Sequence, residues 1–219
     1  MSYGNQFKAH TQLKLSPFFE RTSRLNESQE WRRWSGYLAA TNYELTHENE
    51  YFAIRTKAAL LDITPLYKYI IEGPDAQRFL DRMVTRNIGI CKIGQVMYTP
   101  WCDEDGKQID DGTIQRLSDQ KFRITSAEPN LEWIEYNATG MDLSILDDSY
   151  TTAALAIQGP NSRAILNAVT SDSLNNLNFF WMMETQFDDI PISISRTGYT
   201  GDLGYEIWMD SKDALSVWD

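Results

Sequence analysis

Ile71-Glu72-Gly73-Pro74-Asp75-Ala76 and Ile157-Gln158-Gly159-Pro160-Asn161-Ser162 are the stretches on which the fold is read. Before the first lies Tyr67 to Glu72, aromatic and β-branched, the composition of a strand. Before the second, Ala153 to Ile157 reads as a short apolar strand. Gly73-Pro74-Asp75 breaks the strand and caps a helix over Ala76 to Thr85. Gly159-Pro160 closes the other strand, with a helix over Ser162 to Val169 behind it. Strand, Gly-Pro corner and helix thus occur twice in order, which predicts a pseudo-repeated α+β architecture. The competing explanation, chance recurrence of common turn residues, stays open on the sequence alone.

Upstream, Glu48 to Leu61 places Tyr51, Ile54, Ala58 and Leu61 at helical spacing, predicting an amphipathic helix, with Pro65 as a stop. Downstream, Val96 to Trp101 and Thr113 to Leu117 flank Asp105-Gly106, a pair that favours a tight hairpin because glycine accepts positive φ. Lys121 to Ser126 reads as a strand and Asn130 to Asn137 as a helix. Ile192 to Ser195 and Tyr205 to Trp208 read as paired strands around Arg196 to Gly204. The first thirty residues read as an arm. Residues 1–44 are therefore assigned to an N-terminal arm and the start of the first domain, and 45–219 to the main α+β region. A helix beginning at Ser211 has no stop signal before Asp219, so the sequence reads as truncated.

The chain has 219 residues, 42% hydrophobic and 23% charged, enough to bury a real core. No stretch approaches the roughly 18 apolar residues of a membrane span, and Met1 to His10 lacks the apolar run of an export signal. The expected setting is the cytoplasm, away from membranes. Cys91 and Cys102 are expected to be free thiols there. A net charge of -11 argues against nucleic acid, whose phosphates need clustered Lys and Arg, and points to a small-molecule partner.

His10 and His47 have no second ligand at helical spacing and the cysteines form no CxxC, so no metal site is expected. The GxSxG elbow, the Walker A loop and the GxGxxG fingerprint are absent. Two features remain. Asp110-Asp111 enters the returning hairpin strand, where successive side chains face opposite sides; one of the two faces inward and is a candidate partner for a protonated amine. Gly198-x-x-Gly201-x-x-Gly204 leads to Glu206 and admits two readings, a wide hairpin or a surface on which a planar ligand approaches the backbone. In the second, Tyr199 and Glu206 supply the contacts, a carboxylate suiting adjacent ring N–H groups such as those of a pterin. Tyr98, Trp101 and Tyr199 are the aromatics in segments expected to line the pocket.

Arg196-Thr197-Gly198-Tyr199-Thr200-Gly201-Asp202-Leu203-Gly204-Tyr205-Glu206-Ile207 resembles the RTGYTGE-x-G-[FY]-E-[IL] motif of the glycine-cleavage T-protein (aminomethyltransferase) family. Leu61 to Pro65, Gly106 to Asp111 and Leu155 to Pro160 resemble three further family blocks in the same order, so the likeness covers roughly residues 45 to 210. The resemblance implies α+β domains with antiparallel sheets and a C-terminal barrel, which this sequence lacks. It implies tetrahydrofolate as cofactor, held by Tyr98, Asp111, Tyr199, Glu206, Gly198 and Gly201, with Asp111 as the catalytic residue near the reacting nitrogens. Lys107, Gly112 and Gln115 depart from the family pattern, Gln115 standing where many members carry a tyrosine that lines the folate site. These departures favour a demethylase-like relative acting on a methylated amine, ether or sulfur compound. A folate-binding accessory protein on the same scaffold is the alternative, although those relatives carry K-G-C-Y-x-G-Q-E. A domain of a flavin-dependent amine oxidase is disfavoured by the absence of a flavin domain before Met1. Oligomeric state is not readable.

Overall fold

The computed structural model describes residues 13–219; His10 and the rest of the segment before residue 13 lie outside the described residues. Two five-stranded antiparallel sheets organise the chain. The first has the order β5 (Val96–Cys102), β6 (Gln108–Arg116), β7 (Lys121–Ser126), β4 (Tyr67–Glu72), β8 (Ser144–Asp147). The second has the order β10 (Met182–Phe187), β11 (Ile190–Ser195), β12 (Gly204–Asp210), β9 (Thr152–Gln158), β3 (Ala59–Asp62). After β4 comes helix α3 (Ala76–Met83), and after β9 comes α5 (Ser162–Val169). Each is followed by a 3-10 turn, a three-stranded meander and a closing helix, α4 (Leu131–Asn137) or α6 (Ala214–Trp218). The pseudo-repeat is therefore real, and the sheets carry the α+β class.

The repeats exchange strands. β3 precedes β4 in sequence but pairs with β9, and β8 precedes β9 but pairs with β4. Equivalent hydroxyls fasten the two exchanges. Thr64 Oγ1 accepts from the Ala154 N–H at 3.1 Å, and Ser149 Oγ accepts from the Lys68 N–H at 2.9 Å. Each hydroxyl is oriented by an aspartate at the end of the exchanged strand, whose carboxylate accepts the N–H of the hydroxyl residue: Asp62 from Thr64 and Asp147 from Ser149, both at 3.0 Å.

The Gly-Pro corners receive the exchanged strands. Gly73 has φ +147 and Gly159 φ +128, values that disfavour any side chain. A Cβ on Gly73 would lie 2.6 Å from the Asp142 carbonyl, and one on Gly159 2.6 Å from the Lys57 carbonyl. Those same carbonyls accept backbone N–H groups two residues past each glycine, from Asp75 at 3.1 Å and Asn161 at 2.9 Å. The corner is thus a socket for the incoming strand. Asp75 does not cap α3 with its side chain; its carboxylate holds Arg78 and accepts the Asp142 N–H at 2.9 Å.

Helices cover the outer face of each sheet. Phe79, Leu80, Trp101, Ile114 and Phe122 are fully buried in one core, and Phe18, Leu174, Ile194 and Tyr205 in the other. The inner faces meet, the Arg123 guanidinium of β7 lying 5.5 Å from the Trp208 ring centre on β12. Residues expected to form an arm instead join the body. Helix α1 (Phe19–Leu25) and a hairpin of β1 (Trp31–Trp34) with β2 (Tyr37–Ala40) are present, and Phe18 packs 5.8 Å from Trp218.

The helix predicted over Glu48 to Leu61 is shorter. Helix α2 (Glu48–Thr56) ends where Lys57 leaves helical angles, and Ala59 onward is drawn into β3 by pairing with β9. Tyr51 and Phe52 are exposed and no residue of α2 is buried. Helix α3 likewise stops before its predicted end at Thr85, because Val84 is extended and bridges Trp101. No helix of the described residues is long and apolar enough to cross a membrane, and Cys91 and Cys102 are free.

Gly73→Ala and Gly159→Ala are each expected to cost about 1–3 kcal/mol or more in urea unfolding, from the forced φ and the blocked socket. Gly106→Asn, at φ +77 with open space around it, should stay within about 1 kcal/mol of the parent. Equal losses at all three positions would contradict the socket.

Candidate functional site

The β5–β6 hairpin presents Tyr98 opposite Thr113 and Pro100 opposite Asp111. Alternation along β6 sends the two aspartates to opposite faces. Asp110 is buried, accepting from the Glu128 N–H at 3.1 Å and Asn130 Nδ2 at 2.8 Å. Asn130 Oδ1 in turn accepts the Trp101 indole N–H at 3.2 Å. Asp110 is thus occupied by the scaffold. Asp111 faces the space between the sheets, where its carboxylate accepts from the Tyr98 hydroxyl at 2.7 Å and Gln108 Nε2 at 3.2 Å. That bond to a carboxylate raises the Tyr98 phenol's pKa and keeps it a donor.

Across the cleft, β12 carries Glu206 with Trp208 two residues on, on the same face. Glu206 is 8% exposed, and burial pushes its carboxyl above the usual range, opposed by hydroxyl donors from Thr197 and Ser195. A relay leads to it: the Trp208 indole N–H donates to Ser195 Oγ at 3.1 Å, Ser195 bonds Thr197 Oγ1 at 2.7 Å, and Thr197 donates to Glu206 Oε2 at 2.6 Å. The Thr197 hydroxyl donates to Oε2, and Ser195 Oγ lies 3.5 Å from the same oxygen. Oε1 receives no donor from the described residues.

Tyr98, Asp111, Gly198, Tyr199 and Glu206 line one cavity of about 440 Å³, joined by Leu66, Phe180 and Trp208. Of the residues assigned to the site, Gly201 is not among those that line it. Trp101, expected in the pocket, is fully buried in the outer core. Gln115 also lies outside the lining; it is fully buried and its carbonyl accepts from Arg123 Nη1 at 3.1 Å.

The triple-glycine segment has a cause other than ligand approach. A Cβ on Gly198 or Gly204 would overlap the Gln158 carboxamide. Gln158 donates to the Thr197 and Tyr205 carbonyls, both at 3.3 Å, and accepts from Thr200 Oγ1 at 2.9 Å. The glutamine before the second Gly-Pro corner thereby fixes the loop that carries Tyr199. Ser195, Thr197 and Trp208 went unnoticed in the sequence; Trp208 was findable from strand alternation beside Glu206, whereas the hydroxyl relay has no sequence signal.

Two facing sheets with exchanged strands, and a carboxylate from each in a shared cleft, define a pseudo-twofold α+β binding domain. The GCVT N-terminal domain family matches residues 18–219, and the chain belongs to the glycine-cleavage T-protein family. It is 34% identical over 211 residues to the aminomethyltransferase of Halothermothrix orenii, covering 94% of this chain and 58% of that protein. The aminomethyltransferase of Bacillus cytotoxicus is 34% identical over 177 residues, covering 78% and 48%. The chain thus spans about half the length of these curated relatives. The crystal structure of glycine cleavage system aminomethyltransferase T from Bartonella henselae superposes with a TM-score of 0.83 at 27% identity, covering 94% of this chain and 56% of that one. Heterotetrameric sarcosine oxidase from Corynebacterium sp. U-96 shares the fold with a TM-score of 0.59 at 14% identity, covering 91% and 88%.

Because burial raises the Glu206 pKa, its contribution to stability is complete below the ordinary glutamate value of about 4.3 and falls as pH rises through the folded-state value. Glu206→Gln should therefore be at least as stable as the parent at neutral pH, with the advantage closing on acidification, as read by thermal unfolding across pH. A variant equally destabilised at every pH would contradict a desolvated carboxylate. Gly198→Ala should destabilise, and Gln158→Ala should relieve part of that loss, with a coupling of about 0.5–3 kcal/mol in a double-mutant cycle. Additive effects would remove the Gln158 contact.

Proposed function

We propose that the cleft binds the pterin of tetrahydrofolate and that the protein carries out folate-dependent one-carbon transfer. The donor is a methylated amine or related compound, handled in the demethylase manner or as an aminomethyl transfer. One observation carries the reading: a buried carboxylate, Glu206, whose second oxygen receives no donor among the described residues, shares a cavity with a second carboxylate supplied by the opposite sheet. The cavity's size suits a fused bicyclic ring, since ligand sites run from about 300 to 1,000 Å³. When bound, tetrahydrofolate would supply the nitrogen that accepts the one-carbon unit.

Glu206 is suited to accept two parallel N–H donors from an aminopyrimidine edge, and the desolvation that raises its pKa makes such a pairing favourable. Trp208 and Tyr199 offer flat surfaces, and Leu66 and Phe180 exclude water. Asp111, oriented by Tyr98 and Gln108, orients the amine and holds or moves a proton at its carboxylate. Catalysis here is chiefly positioning, and effective molarity substitutes for a strong nucleophile. Two free thiols suit a reducing, cytoplasmic setting.

Asp111→Asn in the whole protein is expected to lower turnover by about a hundredfold or more while folate affinity stays within about threefold. The measurement is folate-product formation from a panel of methylated donors beside equilibrium folate binding. Unchanged turnover would remove Asp111 from the chemistry, and folate binding with no donor consumed would favour an accessory role.

A further inference from the structure

Two residues mark the local axis between the repeats. Gly94 and Phe180 each stand two positions before the first strand of a meander, β5 or β10. Gly94 N–H donates to the Arg116 carbonyl at 2.8 Å, and the Gly94 carbonyl accepts from Met182 N–H at 2.8 Å. Phe180 N–H donates to the Arg196 carbonyl at 3.0 Å, and the Phe180 carbonyl accepts from Val96 N–H at 2.8 Å. Both have a left-handed backbone, with φ +78 at Gly94 and φ +60 at Phe180. The two are one position of the pseudo-repeat, filled by glycine in the first copy and by phenylalanine in the second.

Left-handed angles suit glycine and press the β-carbon of any other residue against the backbone. The other non-glycine residues with positive φ among those described are Gln29, Ser35 and Asp188, all polar; a bulky apolar residue in this region is an outlier. Linking the sheets does not require the ring, since Gly94 makes the same pair of bonds without one. Neither does the core. Phe180 is only partly buried, belongs to none of the apolar clusters, and has as its ring neighbour the exposed Phe179 at 4.5 Å. Backbone strain that neither packing nor linkage explains points to function. The ring does have a place: with Gly198, Tyr199, Glu206 and Trp208 it lines the cleft.

We propose that Phe180 is a specificity-determining residue of the cleft, its ring kept at a position that prefers glycine so that it meets the flat face of the bound ligand. The proposal rests on the folate reading of the cleft. A ligand held at one edge by Glu206 still slides unless its faces are covered, and a phenyl ring covers a face without offering a donor or an acceptor. Phe180 therefore favours a fused planar ring over a branched ligand of the same size.

The test compares Phe180→Gly, Phe180→Ala and Phe180→Tyr in the whole protein, by thermal unfolding without ligand and by anaerobic titration with tetrahydrofolate. Glycine and alanine both remove the ring and differ only in what the backbone tolerates. Phe180→Gly is expected to melt about 2–4 °C above Phe180→Ala, the reverse of their order at ordinary backbone angles. Gly94→Ala should melt below the parent by a similar shift, from its φ alone, because the added β-carbon meets no atom closer than 3.5 Å. Both variants without the ring should bind tetrahydrofolate about tenfold more weakly than the parent, and Phe180→Tyr within about threefold of it. Phe180→Ala melting above Phe180→Gly would overturn the strained position, and parent-like affinity in Phe180→Gly would overturn the contact; either result ends the assignment while leaving folate in the cleft. No tetrahydrofolate binding by the parent would overturn the folate reading, and the assignment with it.

Discussion

Everything in this molecule hangs on the exchange of β3 and β8 between the two sheets. A strand that leaves its own repeat to pair with the other must cross the βα corner of its host, and at that point its backbone comes within a Cβ's radius of Gly73 or Gly159. Glycine is required there for two reasons at once, the positive φ and the close approach. In return the corner N–H groups of Asp75 and Asn161 satisfy the carbonyls of the crossing segments. A second link lies at the local axis, where Met182 N–H donates to the Gly94 carbonyl and Val96 N–H to the Phe180 carbonyl, both at 2.8 Å. The sheets are held face to face by backbone hydrogen bonds rather than by apolar packing alone.

Between the sheets, polar and charged groups stand beside a small apolar cluster of Ile63, Ala154, Ala156 and Trp208. The outer faces bury large aromatics and aliphatics under helices, as sheets in layered folds do. Between the sheets lie Lys68, fully buried, with Nζ donating to the Thr64 and Leu66 carbonyls at 2.8 Å, and Arg123, 3.8 Å from Asp148. Burial and the neighbouring Arg123 push Lys68 down to about 8. Gln115 Nε2 and Arg123 Nε have no partner among the described residues, and an unmatched buried donor costs about 1–3 kcal/mol. Stability alone does not select such an interior. The cavity between the sheets is lined by Asp111 from one and Glu206 from the other, and the proposed folate site would account for polar groups kept there.

Much of the fold was legible because local signals and global structure agree. Strands β4 and β7 and helix α5 fall on their sequence-read bounds, β4 closed by Gly73-Pro74 and α5 opened behind Gly159-Pro160. What escaped was non-local. β3 and β8 are four residues each; they are strands because of distant partners, β9 more than ninety positions after β3 and β4 more than seventy before β8, and the local periodicity reads β3 as part of a helix. The hairpin at Trp31 to Ala40 and the burial of Phe18 likewise depend on surfaces made elsewhere. At the site, Asp111 and Glu206 were reachable through motif likeness and strand alternation. The Gln158 contact was invisible, since a Gly-x-x-Gly-x-x-Gly spacing states that side chains are missing but not what fills the space.

Glu206 and Asp111, from opposite sheets, are proposed to address one ligand. A crystal structure of the protein with a stable reduced folate tests it most directly. The expected arrangement has the aminopyrimidine edge within hydrogen-bonding distance of the Glu206 carboxylate, Trp208 or Tyr199 against the ring, and Asp111 facing the ring's opposite end. A folate ordered elsewhere, or one in the cleft that leaves the Glu206 carboxylate unpaired, would contradict it.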